Sequence, residues 1–306
     1  MTNPPPPIPS QSLFPVAPST VTFRFPNLGE VIRGGRSWYR IGDALAEGAF
    51  GRTYECTDEW GNRLVVKVFL PHDTYEAVHQ RWERELVNLF RLRHPNITYV
   101  HDAFEHNNGF YIVMERCEGT IRSLPFSFAG SDPNLWVAPI ARSVLQAVHF
   151  MHTHDYVHKD LHPGNVFWAH APGDLGTTVN RPWVFKVGDL GISKLEHEIH
   201  PTGTLFAVPM TPPEALNHTE FGTVGKLTDV YQVGLLLLFI MTGQAPNFTH
   251  QQILDGVPRE WADALNSPYG PVIARALRRH VEARTPSALQ FWRELAEVAP
   301  PMQNLA

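Results

Sequence analysis

The sequence predicts an α+β protein with two lobes, a small antiparallel β-sheet lobe with one helix followed by a larger, mainly α-helical lobe. Short segments rich in β-branched and aromatic residues, bounded by turn residues, occur between residues 37 and 117. After Glu118 the apolar residues recur mainly at helical spacing. Of the 306 residues 43% are hydrophobic, which is enough for a sizeable core.

Residues 1–36 are predicted to form a flexible, proline-rich tail. Eight prolines lie between residues 4 and 26, and few side chains there can pack in a core. A docking peptide for a proline-recognising groove is the alternative, and nothing in the sequence favours it.

The first lobe is expected over residues 37–117. Its clearest elements are three strands and one helix, at residues 53–57, 64–69, 110–114 and 75–92. The apolar residues of the helix recur at spacings of three and four and therefore share one face. They are Val78, Trp82, Leu86 and Leu89.

The second lobe is expected over residues 118–299, with a short C-terminal tail at residues 300–306. Its helices are predicted from apolar residues at helical spacing. They lie at residues 135–154, 228–241, 272–282 and 287–298.

Charge and cysteine content narrow the function classes. The net charge of −5 disfavours a general nucleic-acid binder, which is usually basic. Cys56 and Cys117 are too few and too far apart for a disulfide framework, and they suit a reducing compartment. Residues 1–20 lack the pattern of a signal peptide, and the apolar run at residues 234–241 is too short to span a membrane. A cytoplasmic protein without a membrane span is therefore predicted.

Two features of the first lobe suit contact with phosphate. Gly48 and Gly51 lie between two predicted strands, where backbone without a Cβ can approach phosphate oxygens, although a plain hairpin explains them equally well. Lys67 lies inside an apolar strand and is costly to bury unless an anion meets it. An edge strand with Lys67 facing water is the alternative.

Two runs in the second lobe carry the most informative chemistry. Residues 158–165 read His-Lys-Asp-Leu-His-Pro-Gly-Asn, and residues 188–191 read Gly-Asp-Leu-Gly. Asp160 supplies a carboxylate that can take a hydroxyl proton, while Asn165 and Asp189 supply oxygen ligands for metal ions. This combination suits chemistry on a magnesium-bound phosphate.

These motifs resemble those of the Hanks-type (eukaryotic-type) protein kinase family, and of serine/threonine kinases within it. The family's catalytic loop reads H-R-D-L-x-x-x-N, its metal loop D-F-G, and its glycine loop G-x-G-x-x-G-x-V. Residues 84–97 resemble the family's third helix and the His-Pro-Asn-Ile turn after it. The resemblance covers roughly residues 38–298 and implies the bilobal protein-kinase fold.

The resemblance also implies roles for named residues, with ATP and Mg²⁺ as cofactors. Asp160 would act on the substrate hydroxyl, Lys67 would pair with Glu85 and the phosphates, and Asn165 and Asp189 would ligate magnesium. His162 takes a catalytic position beside the transferred phosphoryl group. The nucleotide pocket would contain Leu45, Gly48, Phe50, Gly51, Thr53, Val65, Lys67, Met114, Glu115, Cys117 and Phe167.

Four positions depart from the family pattern. Ala46 replaces the first glycine of the glycine loop, and Leu190 replaces the phenylalanine of the metal loop. Lys159 replaces the catalytic-loop arginine, which keeps the charge but loses the bidentate fork. His162 replaces a lysine and is only partly charged near neutral pH, so we expect weaker help to the phosphoryl group.

Later motifs favour protein substrates with serine or threonine acceptors. Pro213 and Glu214 resemble the A-P-E run, residues 229–234 the start of the central helix, and Arg284 the late arginine that pairs with that glutamate. In the protein kinase family this glutamate and arginine form a buried ion pair that supports the peptide-docking surface. Small-molecule phosphotransferases lack this surface. A pseudokinase scaffold and a small-molecule phosphotransferase remain the alternative functions. Potential phosphorylation sites in the activation segment are Ser193, Thr202, Thr204 and Thr211.

Overall fold

A computed structural model describes residues 23–48, 51–71, 74–124, 132–170, 183–200, 210–245 and 247–300. Phe50, most of the predicted tail, and the predicted phosphorylation sites Thr202 and Thr204 lie outside these residues.

The small lobe is a six-stranded antiparallel sheet that one helix packs against, as the sequence predicted. The strand order is β1-β2-β3-β4-β6-β5. The strands are β1 (Val31–Arg33), β2 (Trp38–Glu47), β3 (Gly51–Thr57), β4 (Arg63–Phe69), β5 (Val100–His106) and β6 (Gly109–Glu115), and the helix is α1 (Tyr75–Arg91). Strand β1 lies inside the stretch predicted as tail, so the sheet begins before residue 37.

The two faces of this sheet have different environments. In β4, Leu64, Val66 and Val68 are buried in an apolar cluster on one face. Since side chains alternate along a strand, Val65 and Lys67 lie on the opposite face. Strand β4 lies between β3 and β6, so Lys67 is not on an edge strand.

The larger lobe is built around one buried helix. Thirteen of the seventeen residues of α5 are buried, and α2 and α8 pack against it. The helices are α2 (Asn134–Thr153), α3 (Pro213–Leu216), α4 (His218–Phe221), α5 (Lys226–Thr242), α6 (His250–Asp255), α7 (Val257–Asp263), α8 (Gly270–Ala276) and α9 (Ala288–Val298).

The helix predicted at residues 272–282 was wrong in its extent. Helix α8 ends at Ala276, and a separate 3-10 turn follows at Val281–Ala283. The carbonyls of Arg278 and Arg279 accept hydrogen bonds from the Arg284 guanidinium, at 2.8 and 3.0 Å, so they are not used by a continuing helix.

Five short strands hold the loops that carry the most informative motifs. Strands β7 (Gly119–Thr120), β9 (Val166–His170) and β10 (Trp183–Val187) form one sheet, and β8 (Tyr156–Val157) pairs with β11 (Lys194–Leu195). The catalytic loop, residues 158–165, connects β8 to β9. The metal loop, residues 188–191, connects β10 to β11. Among the described residues, no helix has the length and apolar character needed to cross a membrane.

Candidate active site

The catalytic loop and the metal loop lie side by side at the ends of the short strands. The backbone N–H of Gly188 donates to the carbonyl of Asn165 at 3.0 Å. The hydroxyl of Ser193 donates to the carbonyl of His158 at 3.4 Å. The structure thus brings Asp160, Asn165 and Asp189 into one region, although Asp189 follows Asn165 only after two strands.

Helix α5 fixes the start of the catalytic loop. The buried carboxylate of Asp229 accepts the backbone N–H groups of His158 and Lys159, both at 2.9 Å. His152, on α2, contacts the same carboxylate at 2.8 Å. Lys159 has a φ of 69°, a left-handed conformation that is strained for a lysine and needs such anchoring.

One carboxylate oxygen of Asp160 accepts a hydrogen bond, and the other has no hydrogen-bond partner among the described residues. The Asn165 carboxamide donates to Asp160 Oδ2 and to the Asp160 carbonyl, both at 3.0 Å. Asp160 Oδ1 is buried and has no hydrogen-bond partner among the described residues. A buried carboxylate oxygen without a donor is costly, so this atom is suited to receive a proton or hydroxyl from a bound molecule.

His162 is held as a neutral imidazole beside Asp160. Its Nδ1 accepts the backbone N–H of Gly164 at 2.9 Å, so the ring proton lies on Nε2. That nitrogen is 3.7 Å from Asp160 Oδ2. Burial lowers the pKa of His162, although Asp160 opposes this. The ring therefore brings less charge to the site than the sequence indicated.

Lys67 joins the small lobe to the metal loop. Its ammonium group donates to both carboxylate oxygens of Glu85, on α1, at 2.8 Å, and contacts Asp189 Oδ1 at 3.2 Å. Burial alone would lower the pKa of Lys67, but Asp189 and Glu85 together raise it above its ordinary value. Lys67 in turn lowers the pKa of Asp189. Lysine and aspartate both stay charged, as a phosphate and metal site requires.

The oxygens near the metal loop fit a hard cation. Asn165 uses its Nδ2 for Asp160, while its Oδ1 accepts no hydrogen bond from a described residue. Asp189 Oδ1 meets Lys67 and the N–H of Gly191, which leaves Oδ2 open within the described part of the chain. Amide and carboxylate oxygens are the ligands that Mg²⁺ prefers. These two residues are therefore the ones that would hold magnesium.

The glycine-bearing turn between β2 and β3 is tight. The N–H of Gly48 donates to the carbonyl of Gly51 at 2.9 Å. A Cβ at Gly51 would lie 2.8 Å from the carbonyl of Val68, so only glycine fits there. The glycine at residue 51 therefore allows β3 to lie close to β4 beside Lys67.

Several predicted nucleotide-pocket residues share the sheet face that carries Lys67. Thr53 on β3 lies directly opposite Lys67 on β4, and Val65 on β4 lies directly opposite Met114 on β6. Residues that lie directly opposite each other on neighbouring strands point to the same face of the sheet. Leu45, on β2, is half-exposed. This face meets the metal loop through Lys67.

The end of β6, the segment after it and strand β9 carry the remaining predicted nucleotide-pocket residues that the structure describes. The Glu115 side chain accepts from Lys186 and from the Tyr99 N–H, both at 2.7 Å. The backbone N–H and C=O of Cys117 form no hydrogen bond with a described residue. Phe167 lies beside Gly188, where a Cβ would come within 2.7 Å of its ring. Cys117 thus offers a free donor and acceptor, and Phe167 lies next to the metal loop.

A buried ion pair fixes the start of α3. Arg284 Nη1 and Nη2 donate to the two Glu214 oxygens at 2.8 and 2.6 Å, and both side chains are fully buried. The hydroxyl of Thr228 donates to Glu214 at 2.7 Å. This is the ion pair that the sequence analysis expected.

Two polar residues of the site were missed by the sequence analysis. Asn88, on α1, donates to the carbonyls of Leu190 and Ser193 at 3.0 and 3.1 Å. Gln232, on α5, bonds to the catalytic loop and is fully buried. Gln232 is a polar residue beside the long apolar run of the predicted helix at residues 228–241, a signal that could have singled it out. Asn88 lies outside the apolar face predicted for its helix, so no such signal marks it.

Comparisons with known proteins agree on the type of fold. The family model described as protein kinase domain matches residues 39–299. The chain is 26% identical to serine/threonine-protein kinase 33 of Mus musculus over 70% of its own length and 43% of that protein. It is 28% identical to calcium/calmodulin-dependent protein kinase type 1 of Caenorhabditis elegans, over 69% of this chain and 58% of the relative.

A bacterial protein is similar at the same level. A probable serine/threonine-protein kinase PknB of Lactococcus lactis is 30% identical over 68% of this chain and 32% of its own length. The chain therefore spans between about a third and three fifths of the length of these relatives.

Proposed function

Because the chain belongs to the protein kinase family, we propose that it transfers the γ-phosphoryl group of Mg-ATP to serine and threonine hydroxyls of protein substrates. The observation that carries this proposal is Asp160, whose buried Oδ1 has no hydrogen-bond partner among the described residues while Asn165 donates to Oδ2. An acceptor hydroxyl that donates to Oδ1 would be oriented and would have a base for its proton.

Each remaining group has a defined part in this proposal. Lys67, fixed by Glu85, binds phosphate oxygens, and Asn165 and Asp189 hold magnesium. Bound magnesium would neutralise charge that develops on the phosphates. The backbone groups of Cys117 would bind the edge of the adenine, and Val65 and Phe167 would contact the base.

A protein acceptor is favoured over a small molecule because of the buried ion pair of Glu214 and Arg284. This ion pair fixes the start of α3, and Met210, shortly before α3, shares Gln232 as a hydrogen-bond partner with the catalytic loop. A chain that phosphorylated only small molecules would not need this braced surface. Serine and threonine specificity is supported by the names of the distant relatives.

The test is transfer of labelled phosphate from ATP in the presence of magnesium, with generic protein substrates containing serine and threonine. Asp160→Asn removes the base but keeps the side chain's shape, and we expect activity to fall by about 10²-fold or more. Asp263→Asn, on the exposed surface of α7, is the matched control and should keep wild-type activity.

The outcome separates the alternatives. Transfer that disappears in Asp160→Asn supports the proposal. Nucleotide binding without transfer by the wild type would favour the scaffold instead. Transfer to small hydroxyl compounds, and none to protein, would favour a small-molecule phosphotransferase.

A further inference from the structure

Gln232 connects two parts of the site that are distant in sequence. We infer that it is a positioning residue that couples the substrate-docking segment, residues 210–214, to Asp160. The inference rests on the proposed function. Gln232 lies in the first half of α5 and is fully buried.

On one side, Gln232 holds both peptide groups that flank Asp160. Its Oε1 accepts the N–H of Leu161 at 3.1 Å, and its Nε2 donates to the carbonyl of Lys159 at 2.9 Å. The position of the Asp160 Cα is therefore set from both sides by one side chain. The backbone at Asp160 cannot shift without straining these bonds.

On the other side, the same Nε2 donates to the carbonyl of Met210 at 3.2 Å. Met210 is fully buried and begins the docking segment, whose other end is held by Glu214 and Arg284. A displacement of this segment by a bound protein would be transmitted through Gln232 to the backbone at Asp160.

Only a carboxamide of this length satisfies all three partners. Two carbonyls require N–H donors, and one N–H requires an acceptor, which fixes the orientation of the amide. A glutamate would place a carboxylate against two carbonyls. A methionine would fill the space but leave all three backbone groups without a partner, and unpaired buried groups are costly.

The role differs from that of Asp229, one turn earlier on α5. Asp229 accepts only from the N–H groups of His158 and Lys159 and from His152, all N-terminal to Asp160. Among the described residues, Asp229 forms no hydrogen bond with the docking segment. Asp229 therefore fixes the loop, whereas Gln232 also connects it to the segment.

This geometry predicts a specific kinetic pattern. Transfer to a protein acceptor needs both Asp160 and the docking segment, whereas hydrolysis of ATP by water needs only the former. Loss of Gln232 should therefore reduce kcat/KM for a protein acceptor more than it reduces ATP hydrolysis. Nucleotide affinity should stay within about twofold, because the hydrogen bonds of Gln232 to described residues reach Lys159, Leu161 and Met210, none of which is a predicted nucleotide-binding residue.

The experiment compares Gln232→Met with Leu236→Met, a buried change one turn later on the same helix. We measure nucleotide affinity, ATP hydrolysis and protein phosphorylation in the full chain. For Gln232→Met we expect a fall of about tenfold or more in kcat/KM for protein, with a smaller fall in hydrolysis. Leu236→Met should keep both near the wild-type values. Equal losses in both activities, or in both variants, would overturn the inference.

A readout that does not need activity separates this inference from the proposed function. Amide hydrogen exchange of residues 158–165 and 210–214 should accelerate in both segments in Gln232→Met and in neither in Leu236→Met. A wild type that transfers no phosphate would refute the proposed function, while this exchange pattern would still test the coupling. Unchanged exchange in folded Gln232→Met would refute the coupling itself.

Discussion

Helices α1 and α5 each hold one half of the candidate site, and they do so by different means. Helix α1 buries four of its seventeen residues, and two of these, Glu85 and Asn88, are polar. Helix α5 buries thirteen of seventeen and presents Asp229 and Gln232 to the catalytic loop from inside the core.

This difference indicates which half of the site can move with the smaller loss of free energy. Separating α1 from the metal loop would break the contacts of Lys67 with Glu85 and of Asn88 with two carbonyls, and only two of the buried residues of α1 are apolar. Moving the catalytic loop away from α5 would leave buried polar groups without partners in the core. We therefore expect folding to fix the half held by α5, which contains Asp160 and is called the fixed half below. The half held by α1, which contains Glu85, should be able to shift and is called the adjustable half.

The strongest test of the fixed half is the pair of Glu214 and Arg284. Arg284→Met should lower the free energy of unfolding by about 3–5 kcal/mol, because it leaves a fully buried carboxylate unpaired. Chemical denaturation measures the change. In Arg275→Met, which removes the half-exposed partner of Glu294, we expect less than about 1 kcal/mol. Equal losses in the two variants would contradict the view that the core-anchored half carries more stability.

Lys159 should lower the stability of the folded protein, because its charge is buried in the fixed half. This lysine is almost fully buried, and burial, together with nearby Lys194, lowers its pKa from 10.5 to about 8. Below about pH 8 the folded protein therefore carries a buried charge. Between about pH 8 and 10.5 the unfolded chain binds a proton that the folded chain has released, so stability rises with pH in this range.

We expect Lys159→Met to be more stable than wild type by about 3 kcal/mol at pH 7, the amount that corresponds to this pKa difference. The advantage should shrink as the pH rises from about 8 to 10.5. Denaturation of both proteins across this range measures it. A stability difference that does not change with pH would show that the buried charge is not its cause.

The adjustable half can be loosened at Asn88. Asn88→Leu leaves the Ser193 carbonyl without a described partner. The Leu190 carbonyl loses one of two donors and keeps the N–H of Ser193 at 3.2 Å, so we expect a cost of about 1–3 kcal/mol. Amide hydrogen exchange should accelerate in α1 and the metal loop while the catalytic loop stays protected. Asn62→Leu, in an exposed turn, should leave α1 unchanged. Faster exchange in the catalytic loop as well would mean that the two halves are not independent.

The smallest expected effect concerns His162. Because burial keeps this imidazole neutral, His162→Lys would add a positive charge beside Asp160 and should raise phosphoryl transfer about two- to tenfold. Initial rates of phosphate transfer at neutral pH measure it. His154→Lys, at the exposed end of α2, should have no effect. A large loss in His162→Lys would show that the histidine has a role of its own.

Much of the fold followed from local patterns. Helix α1, three of the six small-lobe strands (β3, β4 and β6) and the long helices α2, α5 and α9 were predicted close to their observed bounds, because apolar periodicity is a local property. Strands β1 and β5 were not predicted. The extent of α8 was not predicted, since its end depends on Arg284, a residue outside the helix. The lobe bounds, the residue roles and the cytoplasmic location stay predictions.

The sequence by itself determined which chemical groups this protein possesses, their order, and its membership of the kinase family. The tertiary structure decided which of those groups meet and in which state. Gln232 contacts catalytic-loop residues that lie 71 and 73 positions away, and Lys67 contacts Asp189 across 122 positions. The lowered pKa of Lys159 likewise depends in part on Lys194, 35 positions away. Burial and hydrogen bonding are set by neighbours in space, and local spacing along the chain does not specify them.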